Sequence, residues 1–99
     1  MLTDETLLGR YIRTGDPDAF GELVARYAGL VYGTCLRVLR NPHDAQDVAQ
    51  ECFLELSRRA AEIHASVAGW LHAVATRCAV DALRTRAVRL RHERTAGVE

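Results

Sequence analysis

Apolar residues recur every three or four positions along almost the whole chain, and no stretch alternates apolar with polar residues over the length of a strand. A chain patterned in this way folds as helices laid against one another, so the expected class is all-α, a compact bundle of about four helices. The first is expected from about Asp4 to Arg13, capped by Thr3 and ended by Gly15, with Leu7, Leu8, Tyr11 and Ile12 as its apolar stripe. The second opens at Asp16-Pro17-Asp18, a capping acid before a proline at the first helical position. It carries Phe20, Leu23, Val24, Tyr27, Leu30, Val31, Cys35, Val38 and Leu39. Asn41-Pro42 stops it and caps the third, which buries Ala45, Val48, Ala49, Cys52, Phe53, Leu56 and Ala60. Residues 61–65 form the one interior loop. Ser66 then caps a fourth helix with Leu71, Val74, Ala75, Cys78, Ala82 and Leu83 facing inward, continuing into an arginine-rich end.

Ninety-nine residues make one domain, because a chain this short buries only about two thirds of the surface that it exposes when unfolded. Its apolar runs fall short of the roughly 18 residues that a membrane span needs. The start, Met1-Leu2-Thr3-Asp4-Glu5, is acidic where a signal peptide is basic, so a cytoplasmic chain is expected. Cys35, Cys52 and Cys78 are odd in number and lack a CxxC pair, which argues against a disulfide framework or a ribbon-type zinc site. Each falls on an apolar stripe and reads as a small core residue. His43, His64, His72 and His92 are scattered without metal-ligand spacing. With no phosphate-cradling glycine loop, nucleophile elbow or paired carboxylates, no catalytic site, metal or cofactor is expected.

The formal charge is zero, but it is divided along the chain. Residues 1–56 hold five arginines against nine acids, a net of −4, and residues 57–99 hold eight against four, a net of +4. Such a molecule can offer one end to a polyanion and the other to something basic or to solvent. On the outward face of the third helix Asp44, Asp47, Glu51, Leu54, Glu55 and Arg58 recur at spacings of three and four, with Gln50 beside them. This strip is either a solvated face with one stray leucine or a dock for a basic partner helix. On the fourth helix, His72, Thr76, Arg77, Asp81, Arg84 and Thr85 lie away from the core, and Arg86, Arg89, Arg91 and Arg94 follow. Guanidinium forks bind phosphates bidentately and also complement a helix C-terminus. Trp70, the one tryptophan, begins that helix, where an indole either fills the core or stacks on an unpaired base.

Two anchored motifs make these features specific. The run 44–53, DAQDVAQECF, followed by GWLHAVATR at 69–77 and DALR at 81–84, resembles region 2 of bacterial RNA polymerase sigma factors of the extracytoplasmic-function (ECF) group. Leu7-Leu8, Gly15-Asp16, Ala19-Phe20, Leu23-Val24, Arg26-Tyr27 and Leu30-Val31-Tyr32 resemble the helices that open that region, so the likeness covers about residues 3–90. It implies a transcription initiation factor domain over residues 1–94, with 95–99 as a tail and no second, region 4 domain. Asp47, Gln50, Glu51 and Leu54 are then implied contacts to the clamp helices of the polymerase beta-prime subunit. Trp70, His72, Thr76, Arg77 and Arg84 are implied to read and melt the promoter −10 element on the non-template strand. Arg86, Arg89 and Arg91 join them as expected phosphate contacts because of their charge. An anti-sigma factor is a further partner that the family admits.

The chain departs from the family in three places. Ala73 stands where many relatives have arginine, and Arg77 where they have asparagine. The loop at 61–65 is shorter than the one that captures a flipped base in many members, and nothing after Arg94 encodes region 4. The chain is accordingly either an excised domain or a single-domain protein. The competing readings are a sigma-like domain that binds polymerase or an anti-sigma factor without DNA, which the arginines and Trp70 disfavour, and an enzyme, which the missing polar constellation disfavours.

Overall fold

The computed structural model describes residues 2–97, with side chains through Arg94. Four α-helices follow one another as α1 (Asp4–Thr14), α2 (Pro17–Leu39), α3 (Pro42–Arg59) and α4 (Val67–Gly97), and a 3-10 turn at Ala60–Glu62 follows α3. No strand occurs among the described residues. Of the expected tail at 95–99, the backbone is helical as far as Gly97, and residues 98 and 99 lie outside the described residues.

Each helix begins where a short polar side chain can accept from an otherwise unpaired backbone N–H. Thr3 accepts from the N–H of Thr6 at 3.1 Å, Asp16 from Asp18 at 2.9 Å, Asn41 from Asp44 at 3.0 Å and Ser66 from Gly69 at 3.0 Å. Gly15 ends α1 in the left-handed region at φ 68°. Arg40 ends α2 in the same conformation, at φ 55° and ψ 28°, with its N–H donating to the Leu36 carbonyl at 2.8 Å. A residue with a Cβ pays about 1–2 kcal/mol there, and glycine does not. Arg40→Gly is therefore expected to stabilise the fold by about 1 kcal/mol, read as a later urea midpoint at unchanged slope.

The central helix is α2, which packs against all three others. Leu7, Leu23, Val31, Cys35, Leu56 and Leu71 are buried in one core with Cys52, Val74, Ala75 and Ala79. Phe20, Tyr27, Val48, Phe53 and Cys78 pack against it from the margin. Arg26 and Tyr27 staple the start of α1 to α2: Arg26 donates to Asp4 at 2.9 Å and to the Leu2 carbonyl, and the Tyr27 hydroxyl donates to Asp4. The bond to Asp4 holds the Tyr27 phenol above its ordinary range, with burial adding to the effect.

Three residues expected inside are outside. Ile12 is 46% exposed, Leu30 37% and Leu83 37%. Ile12 and Leu30 sit at the edges of stripes broader than the faces that neighbouring helices cover. Leu83 lies where α4 leaves the bundle: 31 residues at 1.5 Å each make a helix of about 46 Å, longer than its partners. The molecule is consequently a rod of 59 × 21 × 20 Å with a projecting, arginine-bearing arm.

Candidate functional site

The acidic strip of α3 divides in two in the structure. Asp44 and Glu55 face α4 and are held by its arginines: Asp44 accepts from Arg86 at 2.8 Å, and Glu55 from Arg77. Pairs this open to solvent contribute at most about 1 kcal/mol each, so they orient the arginines more than they stabilise the fold. Asp47, Gln50, Glu51 and Leu54 are exposed, Leu54 at 45%. Leu54 is not a solitary leucine. With Phe20, Val24, Gln50, Phe53 and Ser57 it lines a groove of about 400 Å³ between α2 and α3, almost wholly apolar in its walls. The sequence pattern assigned Phe20, Val24 and Phe53 to the core and so hid the groove; the outward Leu54 and the excessive width of the α2 stripe were its traces.

On α4, Trp70, Arg77, Arg84 and Arg91 recur every seven residues and so form one column, about 32 Å long and drifting only some 20° per step. Trp70 is half-buried against the core, and the Arg59 guanidinium lies over its ring at 5.9 Å from the centroid. Glu62 accepts three hydrogen bonds from Arg59 at 3.1–3.2 Å, and Glu55 lies 3.5 Å from it. The same hydrogen bonds hold the Glu62 carboxyl below its usual range and Arg59 above its own. His72 is exposed. The Thr76 hydroxyl donates to the His72 carbonyl at 2.9 Å, so its donor is used within the helix. Arg77 is raised by its contact with Cys78 and by the charge of Glu55, and stays cationic.

Arg84, Arg89 and Arg91 are exposed, but Arg86 and Arg89 leave the column. Arg86 also donates to the Leu39 carbonyl at the end of α2, 3.3 Å away, and both arginines line a hollow with Asp44, Asp47 and Val48. The basic residues thus occupy two sides of α4, one running from Trp70 and Arg77 beside the end of α3 out along the projecting arm, and one facing the start of α3. Among the described residues no group of three or more histidines, cysteines and acids is arranged to hold a metal.

Residues 23–89 match the family described as Sigma-70 region 2. The chain belongs to that family. It is 33% identical over 79 residues to the ECF RNA polymerase sigma factor SigW of Bacillus subtilis, covering 78% of this chain and 42% of that protein. It is 37% identical over 77 residues to the ECF RNA polymerase sigma factor SigE of Mycolicibacterium smegmatis, covering 74% and 30%, and 36% identical over 86 residues to the ECF RNA polymerase sigma factor SigK of Mycobacterium sp. (strain KMS), covering 84% and 45%. The chain therefore spans less than half the length of these relatives. The ECF group inferred from the two motifs is the group of these relatives, and sigma factors are transcription initiation factors rather than enzymes. No described helix is long and apolar enough to cross a membrane.

Proposed function

We propose that this chain is the part of an ECF sigma factor that docks on cytoplasmic RNA polymerase and opens the promoter −10 element. Asp47, Gln50 and Glu51 meet the basic clamp helices of the beta-prime subunit, and the groove beside Leu54 receives an apolar side chain from them. Trp70, His72, Thr76 and Arg77 meet the non-template strand, while Arg84, Arg86, Arg89 and Arg91 hold phosphates. The observation that carries this reading is the segregation of the two surfaces on adjacent helices of one packed body. The seam between them is spanned by Glu55–Arg77 and Asp44–Arg86, which orient one surface relative to the other.

A salt series on single-stranded −10 oligonucleotides, with and without core polymerase, tests it. Binding that needs polymerase, prefers the −10 sequence and weakens steeply with salt supports the proposal. Polymerase binding with no DNA contribution favours the interaction domain instead, a reading helped by the engagement of Arg77 and Arg86 within the fold. Arg84, which carries no such engagement among the described residues, gives the cleanest single test. Arg84→Ala is expected to weaken binding alike for all sequences and to lower the salt slope by about one. A loss confined to one base sequence would assign Arg84 to base reading.

A further inference from the structure

The two oppositely charged parts of the molecule also carry complementary apolar surfaces. On the projecting arm of α4, Leu83, Ala87 and Leu90 follow one another at i, i+4 and i+7 and so form one stripe. Leu83 is 37% exposed, Leu90 is 51% exposed, and Ala87 is open as well. At about 100° of rotation per residue, Arg84 stands along one margin of this stripe and Arg86 and Arg89 along the other. Such spacing is that of the anchors with which an amphipathic helix enters an apolar groove. The groove of about 400 Å³ between α2 and α3 is walled by Phe20, Val24, Phe53 and Leu54, and the exposed Asp47 and Glu51 run beside it on α3.

The arm is continuous with α4, a single helix from Val67 to Gly97, so it does not turn back onto the groove of its own chain. A second copy has no such restriction. The formal charge is zero, 13 basic residues against 13 acidic, so two copies approach without net repulsion, and the basic arm of one is drawn to the acidic strip of the other.

We propose that the chain associates with itself, the arm of one copy lying in the α2–α3 groove of another. Leu83 and Leu90 fill the groove, the small Ala87 between them lets the helices approach closely, and the arm's arginines meet Asp47 and Glu51 of the receiving copy. Burial of the leucines supplies the attraction, and the charges select the arm over other apolar segments. On the function proposed above, the same groove and arm meet polymerase and DNA, so the associated form holds the chain away from both.

Sedimentation velocity of the wild-type 99-residue chain over a concentration series tests this. At low salt the mean mass is expected to climb with concentration to twice that of the monomer or more. The climb should shrink as added salt shortens the screening length from about 30 Å to about 8 Å. Leu90→Asp, at an exposed position of the arm, and Glu51→Arg, in the strip beside the groove, should each associate about a hundredfold more weakly and stay monomeric. Mixed in equal amounts they should form a one-to-one complex, because the first keeps its groove and the second its arm. A wild-type chain that stays monomeric throughout, or association that salt leaves unchanged or strengthens, would overturn the proposal. So would association of Glu51→Arg alone through paired arms, of Leu90→Asp alone through paired grooves, or a mixture of the folded variants that remains monomeric. Thermal melts run beside the variants, and the wild-type salt series decides whether or not a variant folds. None of these readouts uses polymerase or DNA, so a failure of the functional reading is seen separately.

Discussion

Glu51→Arg is expected to abolish binding to polymerase clamp helices while leaving the melting temperature nearly unchanged. Glu51 is exposed on α3 three residues before Leu54, and among the described residues its carboxylate is in no ion pair of the kind that occupies Asp44 and Glu55. Its replacement therefore removes no internal contact, and exposed substitutions of that sort change stability by about 0.5 kcal/mol or less. Against a basic partner the same change loses an attraction and adds a repulsion, which at a close interface costs several kcal/mol and moves affinity by about a hundredfold or more. Glu55→Arg supplies the contrast. Glu55 receives Arg77 and Arg59, so its reversal should disturb the α3–α4 seam and lower stability along with binding. Pull-down of beta-prime clamp helices beside thermal melts measures both quantities. Unaltered affinity of Glu51→Arg would remove α3 from the polymerase surface.

The helices themselves were legible because the signals that start and stop them are local. Thr3, Asp16, Asn41 and Ser66 each cap the helix that the sequence assigned to them, since a cap needs only a short polar side chain and a neighbouring N–H. What remained hidden depends on which helix lies opposite. The strip on α3 reads as one solvated or docking face until α4 arrives and takes Asp44 and Glu55 from its ends. Leu83 has the right phase for the core, but phase says nothing about where the neighbouring helices end. The cysteines look unrelated at positions 35, 52 and 78 because each belongs to a different helix, and all three lie in or against the one core that α2, α3 and α4 share. The family resemblance reached the recognised region through motifs, whereas the groove beside Leu54 required the relative placement of α2 and α3.

Trp70→Leu and Trp70→Ala together are expected to separate the two roles of the indole. Trp70 packs its inner part on the core and lies under the Arg59 guanidinium, itself anchored by Glu62. Alanine removes both the packing and the π face. Full loss of a buried aromatic costs about 3–5 kcal/mol, and a half-buried one correspondingly less, so the variant should melt earlier but stay folded at room temperature. Leucine keeps most of the apolar contact and removes only the aromatic face, and its melting temperature should fall much less. If the indole stacks on an unpaired base, leucine nevertheless forfeits about 1–3 kcal/mol, a reduction in promoter opening of roughly tenfold, with duplex binding and its salt slope intact. Arg59 sharpens the comparison because it occupies the ring face that a base needs. Arg59→Ala should ease stacking if the base displaces the guanidinium, and should impair opening if the guanidinium holds the ring in place for it. Permanganate reactivity of unpaired thymines, read beside thermal melts, decides the matter: normal opening by a folded Trp70→Leu protein assigns the indole to packing alone.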